Sequence, residues 1–253
     1  LIVTPLDYMP LSKRISLPHG ATVAVWQLTE DDATLAAQLE HPELFASKIR
    51  GLRSGSRRLR EILAVRCLLK QLHDGRELEI LYSSDGKPFV TDHSELLSIT
   101  HTEGYAAVLC VPVSSAGTLR PGIDIEHLGH RVARVAPRFL IPSEQQLLAD
   151  SETAVRRLVT TVSASGTDAH AAAAQEIDPI TIHLAWSAKE TAFKVLDSSF
   201  YDLQNKTTIT DVDPVDHSLK IKAVGISRPL QITFEVTNDY VLTYTLHSET
   251  AEA

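Results

Sequence analysis

Asp124 and Glu126 stand two apart in the stretch GIDIE, and Glu190 and Lys194 stand four apart in LAWSAKETAFK. Alternation along a strand puts the two acids on one face and Ile123 and Ile125 on the other. Two carboxylates side by side repel unless water or a cation lies between them. Such a pair is either the wet side of a half-buried strand or part of a cation site, and the tripeptide alone does not choose. In the second stretch a helix carries Trp186, Glu190 and Lys194 along one stripe, and Leu184, Ala188, Ala192 and Val195 along another. The acid and base one turn apart are either a solvated pair on a wet face or half of a site. Taken together, three carboxylates offer the hard oxygen donors that Mg²⁺ takes. That ion keeps some water and completes its shell with substrate phosphate oxygens.

The elements that must position these residues follow from periodicity and punctuation. TVAVWQL (22–28) alternates as a strand, and EDDATLAAQL (30–39) has helical periodicity after Thr29, read as its N-cap. A longer helical stretch covers roughly 43–72, broken near Gly51 and Gly55. LEILY (78–82), LLSIT (96–100) and YAAVLCV (105–111) read as strands, with a turn at SSDGKP (83–88) and a polar corner at HTEG. After SSAGTLRPG, a turn-rich junction, come the strand IDIE (123–126) and a helix near 143–160. The alanine-rich stretch 163–178 has no apolar period and reads as a mobile insertion. The Glu190 helix follows over 183–196, then three strands at 219–225, 230–236 and 240–246, the last two joined as a hairpin. Helices followed by antiparallel strands in each half predict an α+β protein.

Composition narrows the classes. A chain of 253 residues, 43% hydrophobic and 22% charged, can bury a real core as one large domain or two modest lobes. No apolar run is long enough to span a bilayer, so a membrane protein is not expected. The opening LIVTPLDYMPLSKR shows neither a preceding basic segment nor a small-residue cleavage site, which predicts a cytoplasmic location. Cys67 and Cys110 sit among apolar neighbours as buried thiols do. A formal charge of −8 argues against nonspecific nucleic-acid binding. Two basic stretches, KIRGLRSGSRRLR (48–60) and HRVARVAPR (130–138), are either solvated faces or receptors for an anion.

GIDIE, followed some sixty residues later by WSAKETAFK and preceded by GKP and SITHT, resembles the 4'-phosphopantetheinyl transferase superfamily, in its long two-lobed type related to the surfactin synthetase activator. The resemblance extends roughly from Arg53 to Leu196. It implies two similar α+β lobes related by a pseudo-twofold axis, here 1–117 and 118–253, with coenzyme A in the cleft between them. It further implies a cytoplasmic, monomeric enzyme that moves the phosphopantetheine arm of coenzyme A to a serine of an apo acyl or peptidyl carrier protein, releasing adenosine 3',5'-bisphosphate. Carried over by position, Asp124, Glu126 and Glu190 match the family's Mg²⁺ ligands and Lys194 matches a lysine that contacts phosphate, while Lys189 falls at a family lysine near the site. His101 corresponds to a histidine touching a coenzyme A phosphate, with Thr100 and Thr102 offering hydroxyls beside it. Lys87 matches the lysine of the nucleotide loop. Arg57 matches the basic residue at the start of the first-lobe helix, with Lys48, Arg50, Arg53 and Arg58 as neighbours that could share its work. Glu144 falls at a glutamate that is a candidate general base, and it could equally be a first-turn acid favoured by the helix dipole. Trp186 is read as packing between lobes. An acidic carrier would dock on Arg131, Arg134 and Arg138 if Pro137 leaves their helix intact.

Two departures from the family pattern lie near these motifs: the insertion at 163–178, and VLDSSFYDLQNK (195–206) in place of a glycine-containing turn. Neither removes a proposed ligand. The competing readings are a catalytically degenerate relative that binds coenzyme A as a sensor or scaffold, and an α+β interaction module whose motif matches are accidental.

Overall fold

The computed structural model describes residues 11–129, 132–160, 178–196 and 202–248. The chain divides into two compact units, Leu1–Gly117 and Thr118–Ala253. Each is an antiparallel sheet with a long helix packed on it, an α+β arrangement.

The first unit contains β1 (Leu11–Ser16), β2 (Thr22–Gln27), the short helices α1 (Asp32–Ala36) and α2 (Ala46–Ile49), and the long α3 (Arg57–Leu72). After these come β3 (Ile80–Tyr82), β4 (Pro88–Val90), β5 (Glu95–Thr102), β6 (Tyr105–Pro112) and a single turn, α4 (Val113–Ala116). Among the described residues its strands lie in the order β1-β2-β6-β5-β4-β3. The α3 helix starts where Ser56 accepts from the Leu59 amide, and it buries Leu63, Ala64, Cys67 and Leu68 against Trp26, Ala106 and Val108 of the sheet. The cap of α1 is Asp31, not Thr29: its carboxylate takes the Thr34 amide at 2.7 Å. In TEDD every residue but the glutamate is a good cap, and the one three residues ahead of a free amide takes the role.

The second unit begins with β7 (Leu119–His127) and the one-turn α5 (Val132–Val135). Next are α6 (Pro142–Thr160), α7 (Pro179–Val195), α8 (Leu203–Lys206), β8 (Thr207–Asp213), β9 (Ser218–Ala223), β10 (Leu230–Val236) and β11 (Tyr240–Ser248). The sheet order is β7-β11-β10-β9-β8. The strand β7 starts four residues before the predicted one, over LRPG. A proline is tolerated there because β7 is an edge strand, bonded in this sheet only to β11. The predicted insertion at 163–178 lies outside the described residues except for Asp178, which caps α7 by accepting the Ile180 amide at 2.7 Å.

How closely α7 approaches β7 is decided by small side chains. Ala185, Ala188 and Ala192 are wholly buried in the core with Ile221, Ile232, Phe234 and Val241. At Gly122 of β7 the space for a side chain is already taken: a Cβ would fall 2.6 Å from Thr191 O and 2.7 Å from Val195 Cγ2. Behind this contact Ser187, Thr191 and Thr243 join their hydroxyls at 2.9 and 2.6 Å, which satisfies three buried polar groups and pins α7 to β11.

Candidate active site

Burial along α7 answers the question that its sequence poses. From Thr181 to Val195 every side chain is buried except Trp186, Glu190, Phe193 and Lys194. The helix therefore has no broad wet face on which Glu190 and Lys194 could be an ordinary solvated pair. The narrow open stripe meets the acids of β7 instead. Lys194 Nζ donates to Ile123 O at 2.6 Å and pairs with Asp124 Oδ1 at 3.0 Å. Trp186 Nε1 donates to Glu126 Oε1 at 2.8 Å, and its ring packs edge-on against Phe139 with centroids 5.0 Å apart. Trp186 is thus a packing residue in its own unit and also a hydrogen-bond donor, a role its sequence context did not suggest.

The electrostatics carry the signature of clustered acids. The Glu126 carboxyl is pushed up to about 7, first by burial and then by the negative charge of Asp124, with Glu190 acting in the same direction. The Trp186 hydrogen bond and the Lys194 ammonium oppose the rise. Glu126 therefore feels the charge of both Asp124 and Glu190. Among the described residues, however, no group of three or more His, Cys, Asp or Glu side chains is arranged as a ready cage for a metal ion. The donor set fits Mg²⁺ in kind, since all three are hard oxygen ligands and that ion needs only one or two protein carboxylates beside water and phosphate. Their mutual repulsion is also what a divalent cation would relieve.

Glu144 does not fit the general-base expectation. It is wholly buried, pairs with Lys189 at 2.8 Å, and accepts the amides of Ile141 (2.9 Å) and Ile209 (2.7 Å). Lys189, equally buried, also donates to the carbonyls of Phe139 (2.7 Å), Thr207 (3.0 Å) and Leu203 (3.2 Å). Burial pushes the Lys189 ammonium down, and Glu144 offsets only part of that shift. The pair ties α6, α7, α8 and β8 together, and no hydroxyl of another protein reaches Glu144. Lys189 likewise faces the core and not the stripe.

A second polar cluster lies in the first unit, at the start of α3. Arg57 Nε donates to Glu61 Oε1 at 2.7 Å, Arg58 lies 3.5 Å from the other oxygen, and His101 Nδ1 lies 3.1 Å from it. Burial raises Glu61, but His101 and Arg57 outweigh it and hold the carboxyl down at about 2. Glu61 is not among the residues expected from the motifs, although its place four residues after Arg57 is a signal for it. His101 sits near the end of β5, and strand alternation puts Thr100 and Thr102, both buried, on the opposite face. Those hydroxyls do not flank the imidazole as expected. Lys87 closes the Ser83–Lys87 turn with its ammonium 4.0 Å from Asp85.

Of the three docking arginines, Arg131 lies outside the described residues. Arg134 and Arg138 are exposed, but α5 ends at Val135 and Pro137 sits in a separate 3-10 turn (Ala136–Arg138), so the two do not share one helical face.

The model of the 4'-phosphopantetheinyl transferase superfamily matches residues 120–245. The chain belongs to this superfamily. The match takes in β7 and α7 with all of the acids and lysines just described for the second unit, and it makes the chain a transferase of phosphopantetheine groups. Comparison with curated proteins gives no match. Within the superfamily domain, GIDIE supplies both the acid pair and the glycine over which α7 crosses. Among the described residues no helix is long and apolar enough to cross a membrane.

Proposed function

We propose that this transferase takes the 4'-phosphopantetheine arm from coenzyme A and places it on a serine hydroxyl of an apo acyl or peptidyl carrier protein, with Mg²⁺, releasing adenosine 3',5'-bisphosphate. The observation that carries the reading is the open stripe of α7 laid against the acid pair of β7, with Lys194 bridging to Asp124 at 3.0 Å. Asp124, Glu126 and Glu190 would hold the ion, which supplies positive charge to the pyrophosphate. In the transfer the serine oxygen bonds to the phosphorus bearing the pantetheine arm, and the bond from that phosphorus to the bridging oxygen breaks. The departing bisphosphate gains negative charge, and the Lys194 ammonium is placed to balance it. With Glu144 confined to the core, the serine proton falls to Glu190, a partly exposed carboxylate of the stripe.

In the first unit, we assign the phosphates of the nucleotide end to Arg57 and His101, held by Glu61, with Lys87 as a further contact; Thr100, turned to the opposite face of β5, is left out. The exposed Arg134 and Arg138 would meet an acidic carrier. The enzyme would act as a cytoplasmic monomer. The test is incubation with coenzyme A, Mg²⁺ and a panel of apo carrier proteins, following both the carrier's mass and the release of adenosine 3',5'-bisphosphate. Appearance of both together supports the reading. Saturable binding of coenzyme A with no carrier modified across the panel would favour a sensor instead.

A further inference from the structure

We propose that Trp186 is a positioning residue for the divalent cation: its indole N–H fixes Glu126 in the orientation that offers the other carboxylate oxygen to the ion. The inference rests on the metal reading above and adds a residue to it. An indole N–H can only donate, so its partner at 2.8 Å is held as an acceptor, and Oε1 is the oxygen it engages. The donor itself is held by packing on one side. Its ring is set edge-on against Phe139, which is wholly enclosed in the core, and its backbone lies in the middle of α7 between the buried Ala185 and Ser187. A carboxylate near the rim of a sheet would otherwise rotate freely and lose entropy on binding. Here one oxygen is tied by a rigid neighbour, and the freedom left to Glu126 is that of Oε2. Donors behind metal-binding carboxylates set ligand geometry in this way, and losing one typically costs about 10–100-fold in metal affinity.

The chain contains two tryptophans, Trp26 and Trp186, so the indole is also a built-in reporter. Because Trp186 Nε1 is 2.8 Å from Glu126 Oε1, a paramagnetic ion such as Mn²⁺ held by Glu126 would be expected to quench the indole.

Calorimetric titration of the full chain with Mn²⁺, and with Mg²⁺ in the presence of coenzyme A, compares wild type, Trp186→Phe and Glu126→Gln. Phenylalanine keeps an aromatic ring against Phe139 and removes only the donor. We expect Trp186→Phe to melt cooperatively and to bind the ion at least 10-fold more weakly, and Glu126→Gln to bind it more weakly still. If Glu126→Gln binds like wild type, the metal reading itself fails. If Glu126→Gln loses affinity while Trp186→Phe matches wild type, the positioning role alone is overturned. Should Trp186→Phe not fold, Trp26→Phe leaves Trp186 as the sole indole. Quenching by Mn²⁺ that saturates with the calorimetric curve supports the metal reading on which the proposal rests, and unchanged emission at saturating Mn²⁺ overturns both.

Discussion

Replacing Gly122 by alanine tests how the second unit sets its site. The added Cβ would stand 2.6 Å from Thr191 O and 2.7 Å from Val195 Cγ2, where ordinary contact begins at 3.4 Å. Relief therefore requires α7 to move from β7 by about 0.8 Å, the difference between 3.4 and 2.6 Å, because the closer obstacle is backbone and cannot rotate aside. Two effects oppose each other. Alanine restricts the unfolded chain and by that route stabilises by about 0.4–1 kcal/mol, whereas overpacking a closed contact costs about 1–3 kcal/mol. The second term wins, and we expect a net loss of about 1–2 kcal/mol in urea or thermal unfolding. The functional loss should exceed what this implies. Glu190 and Lys194 ride on α7 while Asp124 and Glu126 ride on β7, and displacement near 1 Å at a reacting site can cost about 100-fold in rate. Activity per folded molecule, measured well below the melting temperature, should fall by at least 10-fold. A Gly122→Ala protein as stable and as active as wild type would refute the claim that this glycine sets the spacing.

Glu126→Gln should raise the melting temperature at neutral pH while removing activity. A carboxyl whose folded pKa is raised to about 7 binds its proton more tightly in the folded state, so its contribution falls as pH rises from about 4.5 to about 7. The gain over wild type should therefore grow across that window in parallel melts. Glu61 has the opposite sign: its carboxyl is held down from 4.5 to about 2, a contribution of about 3 kcal/mol present above pH 4.5 and lost as pH falls toward 2. The stability difference between wild type and Glu61→Gln should shrink over that interval in acid titrations followed by circular dichroism. Lys189→Met should destabilise by about 3–5 kcal/mol because Glu144 is left buried without its counter-ion, and Lys189→Met with Glu144→Leu should recover only part of the loss in urea melts, because the backbone amides and carbonyls that the pair serves lose those partners. Glu144→Gln, if it folds, should keep most of its activity per folded molecule, whereas a general base would lose it.

The parts of the site legible in the sequence were those governed by local period. Strand alternation placed Asp124 and Glu126 on one face, and helical period placed Trp186, Glu190 and Lys194 on one stripe. Both stretches also sat in recognisable motifs. What the sequence hid was contact between distant segments. Glu144 looks like any acid in a first helical turn until Lys189, 45 residues on, is brought to it through the core. The indole of Trp186 reads as apolar bulk, and its donor matters only because Glu126, 60 residues earlier, lies within reach. Lys194 pairs with Asp124 on β7, a partner that helical spacing alone does not reveal. The strands β1, β4 and β8 carry weak sequence signals for different reasons. Three-residue β4 opens with a proline, while β1 and β8 are edge strands only partly buried and so show weak apolar alternation. The arginines at 131–138 had helical spacing, but Pro137 closes the helix before the spacing can take effect.

The most direct trial of the central claim compares the mass of one apo carrier protein after incubation with coenzyme A, Mg²⁺ and either the wild-type chain or Glu190→Gln, each verified to be folded. The account predicts that the carrier gains the phosphopantetheine arm with wild type and not with the variant. Equal modification by both would contradict it.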